Sequence, residues 1–296
     1  MKIVLYQRGR DGLGQDAAAR PGLLTGRGIV DLGDAVSRAD TPHLTILGLI
    51  DRFDALRPAL ERLAAGGDAA PVDAVRLLPP LPRPGKILCS TGQYHEQPPS
   101  ERPPLLLTLK SADAVVGPGD AIVLPTTEEP WSFSPDAELG IVIRGPAKRV
   151  GQEGWRSAVF GYTCVVDVMP RLPGQGVGEV RFGRDYWLAK ADTLSPLGPC
   201  IVTADEIPDP NRLRVRSWVN GEPRQDYSTA GAEYTVPEIV DLATTIMTLH
   251  TGDVIAAGTS LNGTGPIQAG DAVEVEIEGI GRLALRVSAE HEVRAA

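Results

Sequence analysis

Cysteine and histidine are scarce in this 296-residue chain, three and four respectively, and neither clusters. Cys89, Cys164 and Cys200 are widely spaced, each beside apolar residues. That spacing excludes a CxxC-type zinc site and predicts buried free thiols in a cytoplasmic protein. The scattered His43, His95, His250 and His291 exclude an imidazole-rich metal centre. Long hydrophobic runs are missing too: nothing in the sequence approaches the ~18 apolar residues of a membrane span. The opening "MKIVLYQRGRDGLG" meets Arg and Asp too early for a signal peptide. An excess of positive charge is also absent. The formal charge of −9 leaves no basic footprint for nucleic acid or an anionic membrane, so neither is expected as a partner.

Turn chemistry is abundant instead. Gly and Pro supply 33 and 26 residues, spread along the chain rather than concentrated in a repeat, which suits many short strands. The first part reads as a small α+β unit: strands "KIVLY" and "GIVDL", then one helical stretch, "ILGLIDRFDALRPALERLAAGG", with a glycine stop. The proline-rich "LLPPLPRPGK" marks a boundary, giving a small N-terminal domain over 1–80 and a second domain over 81–296. Beyond it come "KILCSTG", "PPLLLTLK", "AIVLP", "DAELGIVIRG", "AVFGYTCVVDVM" and further strand candidates, with "PAKRVGQEG" as a turn-rich connection. "VNGE" signals a hairpin, and "VPEIVDLATTIMTL" is the one clear helix. This pattern is mainly β, or α+β, and not doubly wound α/β. "GTSLNGTG" lacks the Lys-Ser/Thr ending of a phosphate loop, so nucleotide binding is not expected.

In a strand, residues i and i+2 share a face, so Asp136 and Glu138 of "DAELGIVI" project together at the mouth of an apolar run. Asp167 is the only charge in "FGYTCVVDVM". A carboxylate there is costly unless it caps a turn, pairs with a cation such as Arg171, or binds metal. Three carboxylates form a hard, all-oxygen set suited to Mg²⁺ or Mn²⁺, or to Ca²⁺. Lys190 in "DYWLAKADT" is either a surface lysine or a cation for a substrate carboxylate or enolate. Thr259 could offer a hydroxyl and a backbone N–H, and the adjacent His95 and Glu96 are a candidate acid–base pair.

Taken in order, "KILCSTGQY", "VVGPGDAIVLP", "DAELGIVI", "VFGYTCVVDV", "AKADTLSPLGPCIVTADEIPDP", "WVNGEPRQD", "GDVIAAGT" and "GDAVEVEIEGIGRL" resemble the fumarylacetoacetate hydrolase superfamily over residues 86 to 283. The resemblance implies a β-roll-like catalytic domain, often dimeric, preceded by a small variable domain. It implies metal held by Asp136, Glu138 and Asp167. It also implies a substrate bound by Tyr94, Arg171, Lys190 and Thr259, with Lys190 serving in catalysis beside His95 and Glu96. The implied reaction is metal-dependent hydrolysis of a C–C bond in an acylpyruvate-like or fumarylacetoacetate-like substrate. Hydration, decarboxylation or tautomerisation of a related 2-oxo acid is the alternative, and a non-catalytic metal- or oxo-acid-binding member the next.

Four departures from the family pattern stand out. Asp136 replaces the usual Glu, one methylene shorter, and the Lys190 segment is one residue short before its Asp. The family's usual His and Glu positions hold Gln97 and Ser100, so His95 and Glu96 are the local substitutes. After Asp167, Arg171 matches the family arginine while any glutamine match is displaced to Gln175.

Overall fold

Strand-forming runs dominate as the turn spacing predicts: 39% of the described residues are strand and 25% helix. The computed structural model describes residues 1–9, 18–95, 101–172 and 187–293. In chain order, β1 (Lys2–Arg8), β2 (Arg20–Thr25) and β3 (Gly28–Asp31) precede α1 (Pro42–Asp51), α2 (Phe53–Gly66), β4 (Ala69–Ala70) and β5 (Val75–Leu78). Then come β6 (Ile87–Thr91), β7 (Leu106–Lys110), β8 (Ala121–Leu124), β9 (Ser132–Ile143), α3 (Gly151–Ala158), β10 (Val159–Arg171) and β11 (Leu197–Thr203). The chain continues through the hairpin β12 (Arg214–Val219) and β13 (Glu222–Ser228), α4 (Val236–Ile246), β14 (Val254–Ala256), β15 (Ala272–Ile277) and β16 (Gly281–Ala289).

The single helical stretch expected near residue 50 is two helices. Arg52, at φ −101° and ψ 10°, ends α1, and its N–H bonds to Gly48 O. The break lets two separate apolar stripes, Ile46, Leu49 and Ile50 of α1 and Phe53 and Leu60 of α2, enter one core. Thr41 caps α1 by accepting from the Leu44 N–H, with Pro42 at the first helical position. Helix α4 begins on a Thr235–Glu238 capping box. The connection read as turn-rich contains α3, a short helix that sequence inspection passes over because "GQEG" is polar and glycine-bearing; Trp155 and Ala158 bury its apolar side.

The described strands make two sheets. One runs β4-β3-β2-β1-β11-β10-β9-β14-β6-β7, with β5 also paired to β1; the other runs β13-β12-β15-β16-β8. Strand β9 is buried at every position but Ser132. Its odd-numbered residues, Phe133 through Ile143, face one apolar cluster shared with the second sheet. On the opposite side Val142 joins Val165, Phe160 and the helices α1 and α2, where Phe53 and Phe160 meet edge-on at 5.1 Å.

Lys110, on the last strand of the larger sheet, donates to Val168 O at 3.0 Å, on β10, and to Leu194 O at 2.9 Å. In a flat sheet β7 and β10 would lie four strand spacings apart, about 19 Å, far beyond a lysine's reach. The sheet is therefore rolled on itself, with its edge strand brought back over the β9–β10 pair. That roll brings the Lys110 ammonium to Asp167.

Close packing inside this roll makes a direct prediction. A Cβ on Gly161 would lie 2.2 Å from the Val202 carbonyl oxygen of β11. Gly161→Ala is expected to lower stability by about 1–3 kcal/mol, read as an earlier midpoint in urea. An unchanged midpoint would contradict the packing.

Candidate functional site

Antiparallel register brings the three carboxylates together. Asp136 sits directly opposite Asp167, and Glu138 opposite Val165, so all three acidic residues lie on one face of the β9–β10 pair. They are 4%, 3% and 5% exposed. This is the face that packs on α1 and α2 further along, so the carboxylates begin where the apolar packing ends. Like charges directly across a strand pair repel, and burial removes the water that would screen them.

Neighbouring groups compensate in part. The Lys110 ammonium, fully buried, makes an ion pair with Asp167 Oδ1, and its hydrogen bonds to two carbonyls occupy its other protons. Arg171 donates to Ser134 Oγ at 3.0 Å and approaches Asp136 Oδ2 at 3.4 Å. Glu138 Oε2 accepts the Gly258 N–H at 2.8 Å. Burial still prevails: it pushes the Asp136 carboxyl up to about 7, against the pull of Arg171 and Lys110. Burial, reinforced by the neighbouring Asp167 and Asp136, holds Glu138 well above the usual carboxylate range. Among the described residues no three acidic, His or Cys side chains converge into a ready-formed metal cage. The oxygens are partly turned to Lys110, Arg171 and Gly258.

The other predicted residues divide by position. Thr259 is buried, and its hydroxyl donates to Ala137 O at 2.9 Å while accepting from Gln225 Nε2 at 2.8 Å. Tyr94 is half-buried and meets Tyr227 edge-on at 4.9 Å; burial raises both phenols. Lys190 is half-buried, its ammonium lowered by burial and lying in the fields of Cys89, Lys110 and Asp167. His95 is exposed, and among the described residues it makes no hydrogen bond or ion pair with the carboxylates. Glu96, Gln97, Ser100 and Gln175 lie outside the described residues.

Sequence reasoning missed Lys110 and Gln225. Lys110 ends the apolar strand "LLTLK" and reads as a cation reaching for solvent; only the rolled sheet turns it inward. The three cysteines are free and buried as expected, and Cys89 lies among Asp167, Lys110 and Lys190, whose charges act on its thiol.

The rolled sheet, the paired acidic strands and the order of motifs define one class of protein. Residues 87–288 match the fumarylacetoacetate hydrolase C-terminal family, and the chain belongs to that family. It is 32% identical over 287 residues to a maleylpyruvate hydrolase of Aquipseudomonas alcaligenes, spanning 90% of this chain and 96% of that protein. It is 31% identical over 272 residues to the mitochondrial oxaloacetate tautomerase FAHD2A of Bos taurus, 86% and 82% of the two chains. Among solved structures, maleylpyruvate hydrolase from Sphingobium sp. SYK-6 in complex with manganese(II) and pyruvate superposes with a TM-score of 0.81 at 31% identity, covering 98% and 99%.

Metal-free protein should show the strain of this buried charge. The Asp136 carboxyl holds its proton more tightly folded than unfolded, so its burial costs nothing below about pH 4. The cost grows as pH rises and is complete above about 7. The thermal midpoint of chelator-treated protein is expected to fall between about pH 4 and 7, and Asp136→Asn to make that fall shallower. An equal slope in the variant would contradict the assignment.

Proposed function

We propose that the chain is a divalent-metal-dependent hydrolase that cleaves the C–C bond of an acylpyruvate-like or fumarylacetoacetate-like 2-oxo acid. One observation carries this reading: a buried, same-face set of Asp136, Glu138 and Asp167 in a chain 32% identical over 90% of its length to a maleylpyruvate hydrolase. The donor set fits a hard cation. It is all oxygen and almost sealed from water, and two of its members are pushed toward the protonated state by uncompensated burial. Asp136, Glu138 and Asp167 would hold Mg²⁺ or Mn²⁺, with residues 81–296 as the catalytic domain and 1–80 as the accessory one. When bound, such an ion polarises the substrate's oxo-acid oxygens and stabilises enolate charge.

The chain's own residues then divide the remaining work. Lys190, half-buried and partly desolvated, supplies positive charge for a substrate carboxylate or enolate. The Thr259 hydroxyl spends its proton on Ala137 O, so the donor it can offer a substrate is its backbone N–H. Tyr94, packed on Tyr227, walls the site. Arg171 steadies Asp136 from the open end of the strand pair. His95 with Glu96 is the assigned proton-transfer pair, and the exposed His95 must turn inward for that role.

The protein is proposed to act in the cytoplasm, consistent with three unpaired buried thiols. It is proposed to act as a homodimer, in line with exposed Leu106 and Leu109 on the edge strand β7 and exposed Trp187. No described helix is long and apolar enough to cross a membrane. A second reading, tautomerisation of oxaloacetate-like substrates, is favoured by the FAHD2A relative and by the exposure of His95, since keto–enol exchange needs no activated water.

Pyruvate release from an acylpyruvate, with Mg²⁺ or Mn²⁺ supplied, tests the proposal. Chelation is expected to abolish release and metal to restore it. Asp167→Asn is expected to lower kcat/KM more than about 100-fold. Because that change strands Lys110, Glu138→Gln serves as the second variant. Metal-independent turnover, or full activity in a folded variant, would contradict the metal assignment. Loss of enol absorbance without pyruvate would favour the tautomerase.

A further inference from the structure

Ala137, between the two β9 carboxylates, sits where the neighbouring strand ends. Strand β14 pairs with β9 only as far as Ala256 opposite Gly140, and one further bond runs from Ala257 N–H to Leu139 O. The next peptide groups on that edge are those of Ala137, and side chains satisfy them. The Ala137 N–H donates to Gln225 Oε1 at 3.1 Å. Its carbonyl accepts from Tyr227 Oη at 2.5 Å and from the Thr259 hydroxyl at 2.9 Å.

Gln225 is 2% exposed, and each end of its amide makes two hydrogen bonds. Oε1 also accepts from Ser217 Oγ at 3.1 Å, and Nε2 donates to Thr259 Oγ1 at 2.8 Å and Ser260 O at 2.6 Å. Gln225 and Tyr227 belong to β13, the edge of the other sheet, where the register with β12 shifts between Arg216 and Trp218. A bulge of this kind re-aims side chains. Here Gln225 and Tyr227, two residues apart, both reach β9, while the intervening Asp226 is exposed and pairs with Arg214.

We propose that Gln225 and Tyr227 are positioning residues for the carboxylate site. They stand in for a missing strand along Ala137 and so fix the aim of Asp136 and Glu138, and through Thr259 they tie the residue 259–260 loop to the same peptide. The proposal rests on the metal reading above for its consequence but not for its geometry. Backbone freedom at Ala137 would swing both flanking carboxylates at once, since each is one residue from it. Partners one shell removed from a metal commonly change its affinity 10- to 100-fold.

Two measurements on the full chain test this. In Gln225→Met, near-isosteric but unable to bond the Ala137 N–H, amide hydrogen exchange across residues 133–140 is expected to accelerate. Mn²⁺ affinity by calorimetry is expected to weaken about 10-fold or more. Tyr227→Phe should move both readouts in the same direction, and it decides the matter if Gln225→Met does not fold. Asp226→Asn, on the same strand but facing away, should leave both unchanged and so controls for a loosened edge strand. Wild-type exchange and Mn²⁺ affinity in the folded Gln225 or Tyr227 variants would overturn the proposal. If the unaltered protein binds no Mn²⁺, the metal reading fails while the exchange measurement still decides the positioning role.

Discussion

Three carboxylates on one face of two paired strands, almost out of reach of water, are the constraint around which the rest of the molecule is organised. Asp136 and Asp167 face each other across the β9–β10 ladder, and Glu138 follows one pleat later. Ionised and alone, such a group would push the strands apart. The fold answers with cations and donors from distant parts of the chain: Lys110 from β7, Arg171 from the end of β10, and the Gly258 N–H from the loop after β14. The sheet must roll for Lys110 to arrive. The same roll buries the carboxylates and brings in the cation that offsets their charge, so the two have one cause.

Compensation is incomplete, and that incompleteness is chemically informative. Burial still raises the proton affinity of Asp136 and Glu138 even with Lys110 and Arg171 in place. A structural ion-pair cluster would more usually hold its carboxylates low. A site that relinquishes stability in its empty form gains it back when a cation binds, because ligand binding to the folded state adds directly to stability. The family relationship, and a manganese-bearing relative of the same fold, fit that economy. Lys190 adds a half-buried positive charge, its ammonium lowered by burial, in the fields of Lys110 and Asp167.

Much of this was legible in the sequence, for identifiable reasons. The period of two put Asp136 and Glu138 on one face, and Asp167 stood out as the only charge in an apolar run. The family motifs then joined segments that no local rule connects. The pairing of Asp136 with Asp167 is a matter of register, which depends on the irregularity between Val159 and Gly161 of β10 rather than on composition. Lys110 was illegible because its environment is made by strands β10 and β7 meeting across the roll. Gln225 lay inside a recognised motif, but its role depends on where β14 stops. The helix break at Arg52 and the polar α3 escaped because tertiary packing, not propensity, decides both. His95 was prominent as half of an adjacent acid–base pair; it is exposed, and its partner Glu96 lies outside the described residues.

The central claim is that Asp136, Glu138 and Asp167 together hold a divalent cation. Anomalous diffraction from a crystal grown with Mn²⁺ and oxalate tests it most directly. One strong manganese peak is expected on the buried face of β9 and β10, within about 2.5 Å of a carboxylate oxygen from each of the three residues. A peak held by other residues, or no peak there while oxalate occupies the site, would contradict it.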